Sequence, residues 1–148
     1  MSFASIVPLI GGETIAMQNV LGKKPEYILS YSAFEANDNQ LVEYYDKQVP
    51  YYHLDGDMPS SLPLVESINT VCPCAGLSSL SPSASSTNAN NDWMLPTASH
   101  VFGTIKPKVF WGENAPRLAS KMGEPIVETL RAIGRENGYT FSIYKTKS

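Results

Sequence analysis

Phe3-Ala4-Ser5-Ile6-Val7-Pro8-Leu9-Ile10-Gly11-Gly12 opens the chain with an apolar run that stops at a glycine pair. Glu13 to Leu21 follows, with Ile15, Met17, Val20 and Leu21 apolar and Gly22 as a stop, so the run reads as strand, glycine turn, helix. The alternation continues outward. Tyr27 to Tyr31 reads as a second strand and Asn37 to Lys47 as a helix with Leu41, Val42, Tyr44 and Tyr45 on its apolar face. Pro50 to Leu54 is a third strand, Ser67 to Cys72 a fourth and Lys108 to Trp111 a fifth. Asp92 to Phe102 reads as a helix with Asp92 as its N-cap and Pro96 in its first turns. Arg117 to Asn137 has Leu118, Met122, Ile126, Leu130 and Ile133 at helical spacing, divided by Gly123 and Pro125 and closed by Gly138. Tyr139 to Tyr144 is expected to be a final strand, with Tyr139, Phe141 and Ile143 on one face. Strands alternating with helices predict an α/β fold on a mostly parallel sheet with helices on both faces.

A length of 148 residues predicts one domain, 1–148, with a sizeable core. A stretch from 77 to 91, mostly Ser and Asn, carries too little apolar residue to order itself and reads as a mobile active-site loop. No run is apolar enough for a membrane span, and no basic segment followed by an apolar stretch opens the chain. A cytoplasmic protein with no membrane partner is the expectation. Cys72 and Cys74 are the only cysteines, which excludes a disulfide framework. With His53 and His100 they match no common zinc spacing, so no metal site is expected. Residues 1–102 hold 3 Lys/Arg and 10 Asp/Glu, net −7, and residues 103–148 hold 8 and 4, net +4. A protein gripping nucleic acid alone is usually more basic, so either the C-terminal third faces phosphate or another chain supplies most DNA contacts.

Polar residues fall just after successive strands. Gly11-Gly12 lets backbone approach a ligand, beside the free N–H groups of the following helix. Glu35 lies past the second strand, at the distance from a glycine turn where an acid accepts from ribose hydroxyls. Asp57, past the third, is placed to accept from an adenine amine. Together these describe a nucleoside site on the sheet's carboxyl edge. Cys74 follows the fourth strand and Glu113 the fifth, adding a nucleophile and an acid at that edge.

At this point the chain resembles a family. Pro73-Cys74 is similar to the catalytic Pro-Cys of DNA (cytosine-5) methyltransferases, and Glu113-Asn114-Ala115-Pro116 to their Glu-Asn-Val motif. Glu35 and Asp57 match their cofactor acids in order. Cys72-Pro73-Cys74-Ala75-Gly76-Leu77-Ser78, with Lys106-Pro107-Lys108 before Glu113-Asn114, resembles bacterial and bacteriophage members most closely, and the resemblance runs from Val7 to Tyr144.

The resemblance implies a Rossmann-like S-adenosylmethionine-dependent fold, in the host cytoplasm if phage-encoded. Cys74 would add to C6 of a flipped cytosine, and Glu113 would hold the ring, with Asn114 supporting it. Gly11, Gly12, Glu35, Asp57 and Pro73 would hold S-adenosylmethionine, Pro73 also fixing the loop. The family's glycine motif has phenylalanine, then a glycine, where Val7 and Leu9 stand, and many members carry glutamine at Ala75. No Gln-x-Arg-x-Arg motif or target-recognition region follows Tyr144, so the sheet is expected to be incomplete at its C-terminal part, with an open edge. Three arrangements are open: half of a split enzyme completed by a second polypeptide that contacts DNA, a truncated enzyme, or a methyltransferase-like module acting through protein contacts. In the first two the isolated chain is expected to be inactive. A homo-oligomer is a further way to cover the edge.

Overall fold

The computed structural model describes residues 1–56, 58–71, 93–113, 118 and 121–144, with the side chains at 37, 38 and 122 left aside. These form two compact units, one spanning Met1–Cys72 and Pro107–Glu113, the other Pro73–Lys106 and Asn114–Ser148.

The first unit is an open sheet of five strands, all parallel, in the order β3-β2-β1-β4-β5. The strands are β1 (Phe3–Ile6), β2 (Ile28–Ser30), β3 (Tyr51–His53), β4 (Ser67–Thr70) and β5 (Val109–Gly112). The fold is α/β and Rossmann-like. Helices α1 (Gly12–Leu21) and α2 (Glu35–Tyr44) make the first two crossovers, both stepping the same way along the sheet. Right-handed connections therefore put both helices on one face. There Ile28, Leu41, Tyr45 and Val49 form a buried cluster, with Ile15 and Tyr51 packed on it. The direction reverses between β1 and β4, and at such a point the strand ends splay apart and leave a crevice.

Strand β1 is central, so every one of its residues is buried, including Ser5. It ends at Ile6, four residues before the apolar run does. Val7 and Leu9 take left-handed backbone conformations, φ 49° and 53°, which no strand accommodates. The run's apolar character there serves burial of a turn: the Gly11 N–H donates to the Pro8 carbonyl at 3.0 Å. Gly11 itself has φ 90°, and a Cβ on it would lie 2.7 Å from Leu41 Cδ1. Glycine is required there both by conformation and by the approach of α2. Helix α2 begins at Glu35, two residues earlier than the apolar spacing suggests, behind a 3-10 turn at Ser32–Phe34.

In the second unit, α3 (Met94–His100) packs on α4 (Glu124–Glu136). Pro96 sits in the first turn of α3, where its missing N–H costs nothing. The helix runs on as one π turn, Val101–Ile105. The expected N-cap, Asp92, lies outside the described residues. Helix α4 starts after the 3-10 turn Lys121–Gly123, with Pro125 in its first turn, and Gly138 closes it at φ 84°.

The expected strand at 139–144 is not one. Its alternation is used otherwise. Tyr139 packs on Phe102 with ring centroids 4.6 Å apart, and its N–H donates to the Gly134 carbonyl at 2.8 Å. The Arg131 guanidinium lies 5.5 Å from the Phe141 ring centroid. The aromatic side chains find helix partners within their own unit, and the backbone stays outside any ladder.

Strand β5 is fitted to β4 through a glycine. A Cβ at Gly112 would meet Thr70 Cγ2 at 2.6 Å and the Thr70 carbonyl oxygen at 2.9 Å. Gly112→Ala is expected to destabilise the fold by about 1–3 kcal/mol in urea denaturation. Thr70→Ser in the same chain should restore only part of the loss, because the backbone contact remains.

Candidate acidic crevice at the sheet's carboxyl edge

The turn after β1, the start of α1 and the residue after β5 surround the point where the strand order reverses. Val7 N–H donates to Leu29 O at 2.7 Å, and Val71 N–H to Val7 O at 3.2 Å, so the turn's first residue is gripped from both sides. Gly11 caps α1 without a side-chain hydrogen bond. The first N–H groups of the helix therefore have no side-chain acceptor at the cap. Leu9 takes a left-handed conformation although it is not glycine, at a cost of roughly 1–2 kcal/mol.

Beneath this turn runs a hydrogen-bonded chain of buried side chains. Ser5 Oγ donates to Asn69 Oδ1 at 2.9 Å and lies 2.7 Å from Thr14 Oγ1. A hydroxyl has one proton to give, so Thr14 must donate to Ser5. Ser5, Thr14 and Asn69 are all fully buried. Ser5 and Asn69 are register partners on the face that α1 covers. With its carbonyl committed to Ser5, Asn69 turns its amide nitrogen the other way, and among the described residues Nδ2 has no partner within full hydrogen-bond distance. Glu13, in the first turn of α1, lies on that side. The Asn69 amide is near enough to favour its anion, yet its buried Oε1 also lacks a partner.

Burial pushes the Glu13 carboxyl up from 4.5 to about 7, and the negative charge of Glu113 adds to the shift, against the smaller opposing pull of Asn69. Two acids 100 positions apart in sequence are thus close enough to repel one another. Glu113 follows β5 directly, and its N–H donates to Thr70 O at 3.4 Å.

The residues singled out in sequence divide as follows. Gly11, Gly12 and Glu113 come together at the crevice. Glu35 begins α2 past the end of β2, where its Oε2 lies 3.9 Å from His53 Nε2 at the end of β3. Asp57, Pro73, Cys74 and Asn114, and the stretch 77–91, lie outside the described residues. Asp55 is exposed but tied to the neighbouring turn: Ser32 N–H and Oγ–H donate to its carboxylate at 3.0 and 2.6 Å. The Ser32 side chain, then its backbone N–H, hold the Asp55 carboxyl below its usual range. Asp55 therefore locks the turn after β2 to the turn after β3. Among the described residues, no group of three or more His, Cys, Asp or Glu is arranged to hold a metal. No helix among them is long and apolar enough to cross a membrane.

Glu13, Asn69, Ser5 and Thr14 were not singled out in sequence. The available sign was polarity inside apolar strands, Ser5 between Ala4 and Ile6 and Asn69 after Ile68, since a polar group survives there only with a partner. No protein-family model matches the chain, and no curated protein matches it.

The pH dependence of stability follows from Glu13. Its folded pKa is raised, so between about pH 4.5 and 7 the unfolded chain releases this proton first, and stability falls as pH rises through that window. Glu13→Gln lacks this loss. It is expected to melt a few degrees above wild type at pH 8, equivalent to about 1 kcal/mol after solvent screening of a half-exposed group. The difference should vanish in melts at pH 4.

Proposed function

We propose that this chain carries the cofactor-binding and catalytic groups of a DNA (cytosine-5) methyltransferase. The observation that carries the reading is that β4 and β5 are neighbours in an all-parallel sheet, beside the reversal of strand order. In the sequence Pro73-Cys74 comes shortly after the first of these strands and Glu113 directly after the second, which supports a nucleophile and an acid supplied from adjacent strands. The fold class, the uncapped start of α1 and Glu35 past β2 suit a nucleoside cofactor along the same edge.

The residues present fit S-adenosylmethionine. Its amino-acid end would meet the turn Gly11-Gly12 and the free N–H groups of α1, and its ribose hydroxyls Glu35. Asp57 is the proposed acceptor for the adenine amine, and Pro73 would bound the site. When bound, the cofactor supplies the methyl group. The Cys74 thiolate adds to C6 of the cytosine, forming a carbon–sulfur bond and moving electron density onto C5 and N3. Glu113 would give a proton to N3 as that charge builds and take it back when the ring is restored, accepting meanwhile from the exocyclic amine, with Asn114 supporting its position. Once C5 carries the methyl group, water would take its proton, and the electrons of that C–H bond would restore the ring as the Cys74–C6 bond breaks and the thiolate leaves.

Glu13, Glu113, Glu35 and Asp55 make this edge acidic, and phosphate is repelled from it. DNA binding is therefore assigned to basic surface from elsewhere, principally a second polypeptide. Val109 and Trp111, exposed to 50% and 38% on edge strand β5, favour a second reading, a module that binds another protein.

Two measurements test the proposal. S-adenosylmethionine should bind by calorimetry, and Glu35→Ala should weaken it about tenfold, the loss of a ribose hydrogen-bonded pair. With a DNA-binding partner supplied, Cys74→Ser should abolish methyl transfer to cytosine. Turnover by Cys74→Ser removes the thiolate mechanism, and absence of cofactor binding leaves the binding module.

A further inference from the structure

A second polar cluster lies at the carboxyl ends of β2 and β3. Ser30 and His53 are register partners on these neighbouring strands, so their side chains stand side by side, about 5 Å apart, on one face of the sheet. Ile28 and Tyr51, two residues back, identify that face as the one α2 covers, since they pack with Leu41 and Tyr45. Ser30 is fully buried, and among the described residues neither its Oγ nor the buried Nε2 of His53 has a hydrogen-bond partner. Glu35, the first residue of α2, places its Oε2 3.9 Å from His53 Nε2. That is too far for a hydrogen bond, and it leaves room for one oxygen atom about 2.8 Å from both. The Glu35 side chain is 67% exposed and that of His53 29%, so the cluster is open to solvent on the Glu35 side and closed on the Ser30 side. Asp55, the other acid whose charge reaches His53, is already taken up by Ser32. Buried polar atoms are almost always satisfied in folded proteins, and two of them unpartnered on adjacent strands mark a place where a polar ligand completes the set.

The group that fills the gap must donate a hydrogen bond to Glu35 and accept one from His53, because the carboxylate favours the imidazole tautomer with its proton on Nε2. An ammonium cannot accept, and a carboxylate cannot donate. A hydroxyl does both. We infer that His53 is a sugar-binding residue, its Nε2–H donating to one ribose hydroxyl while that hydroxyl donates to Glu35 Oε2, which leaves Glu35 Oε1 for the neighbouring hydroxyl. This rests on the cofactor reading, in which Glu35 meets the ribose by itself and His53 has no part. The pair reads a vicinal diol as a unit. The deoxyribose of DNA has no such diol, so the same two side chains separate the cofactor from the nucleotides of the substrate.

The test is isothermal titration of S-adenosylhomocysteine and its 2′-deoxy and 3′-deoxy analogues into wild type and His53→Phe. Phenylalanine keeps a ring against Tyr51 and removes the Nε2 donor. Wild type should bind at least one deoxy analogue about tenfold more weakly than the parent, the loss of the bridged hydroxyl. His53→Phe should lose about fivefold for the parent and nothing further for that analogue, because the hydroxyl His53 holds is already gone. A thermal melt confirms that the variant is folded. An arm with no variant is the imidazole nitrogen NMR spectrum of wild type, which has two histidines to assign. The His53 Nε2 resonance should move with the parent and not with that analogue. If His53→Phe weakens all three ligands alike, or leaves the parent's affinity unchanged, the inference fails while the cofactor reading stands. Equal affinity of wild type for all three ligands, or a His53 resonance that none of them moves, also overturns it. Failure of all three to bind wild type sinks the cofactor reading and this inference together.

Discussion

One hydroxyl at the centre of the sheet organises the crevice. Ser5 Oγ, wholly buried in the middle strand, accepts from Thr14 on the first helix and donates to Asn69 on the next strand. Left unpaired, any of these groups would cost about 1–3 kcal/mol, so the three hold one another in a single arrangement. That arrangement fixes how α1 sits over the β1–β4 junction, which way the Asn69 amide points, and where the first turn of α1 carries Glu13. Replaced by alanine or valine, the same strand could still pair, but the direction of the amide would no longer be specified.

Around this anchor the backbone is held in conformations with little tolerance. Val7 and Leu9 are left-handed although neither is glycine. Gly11 and Gly112 sit where a side chain would strike Leu41 or Thr70. All four lie in the turns or strand ends that form the crevice, while β1 between them is ordinary buried strand. Strained backbone and close packing at this edge suit a site that must present backbone and carboxyl groups in fixed positions. The Asp55–Ser32 lock does the same for the turns after β2 and β3.

The strands were readable because each is a short apolar segment bounded by turn residues, and all five were found within a few residues. Their ends were less readable. The apolar run through Ile10 hid a turn, because Val7 and Pro8 are buried for packing and not for pairing. At the C-terminal end, the alternation of Tyr139, Phe141 and Ile143 imitates a strand, although Tyr139 and Phe141 pack on Phe102 and Arg131. Period-two patterning records which residues are covered and not what covers them. Gly11, Gly12 and Glu113 could be chosen from their place after strands. Glu13 could not, because its character comes from Asn69 and Glu113, which are distant in sequence and become neighbours only when β4 and β5 take their places beside β1.

That distance bears on how the chain comes together. Ser5 and Asn69 are 64 positions apart, and β1 has its final neighbour on one side only after β4 exists. During synthesis β1 emerges well before β4 and waits, able to pair with β2 but uncovered along its other edge. Closing that gap sets a late, non-local step in folding, and until then the exposed edge of β1 is the part of the nascent chain most in need of a chaperone.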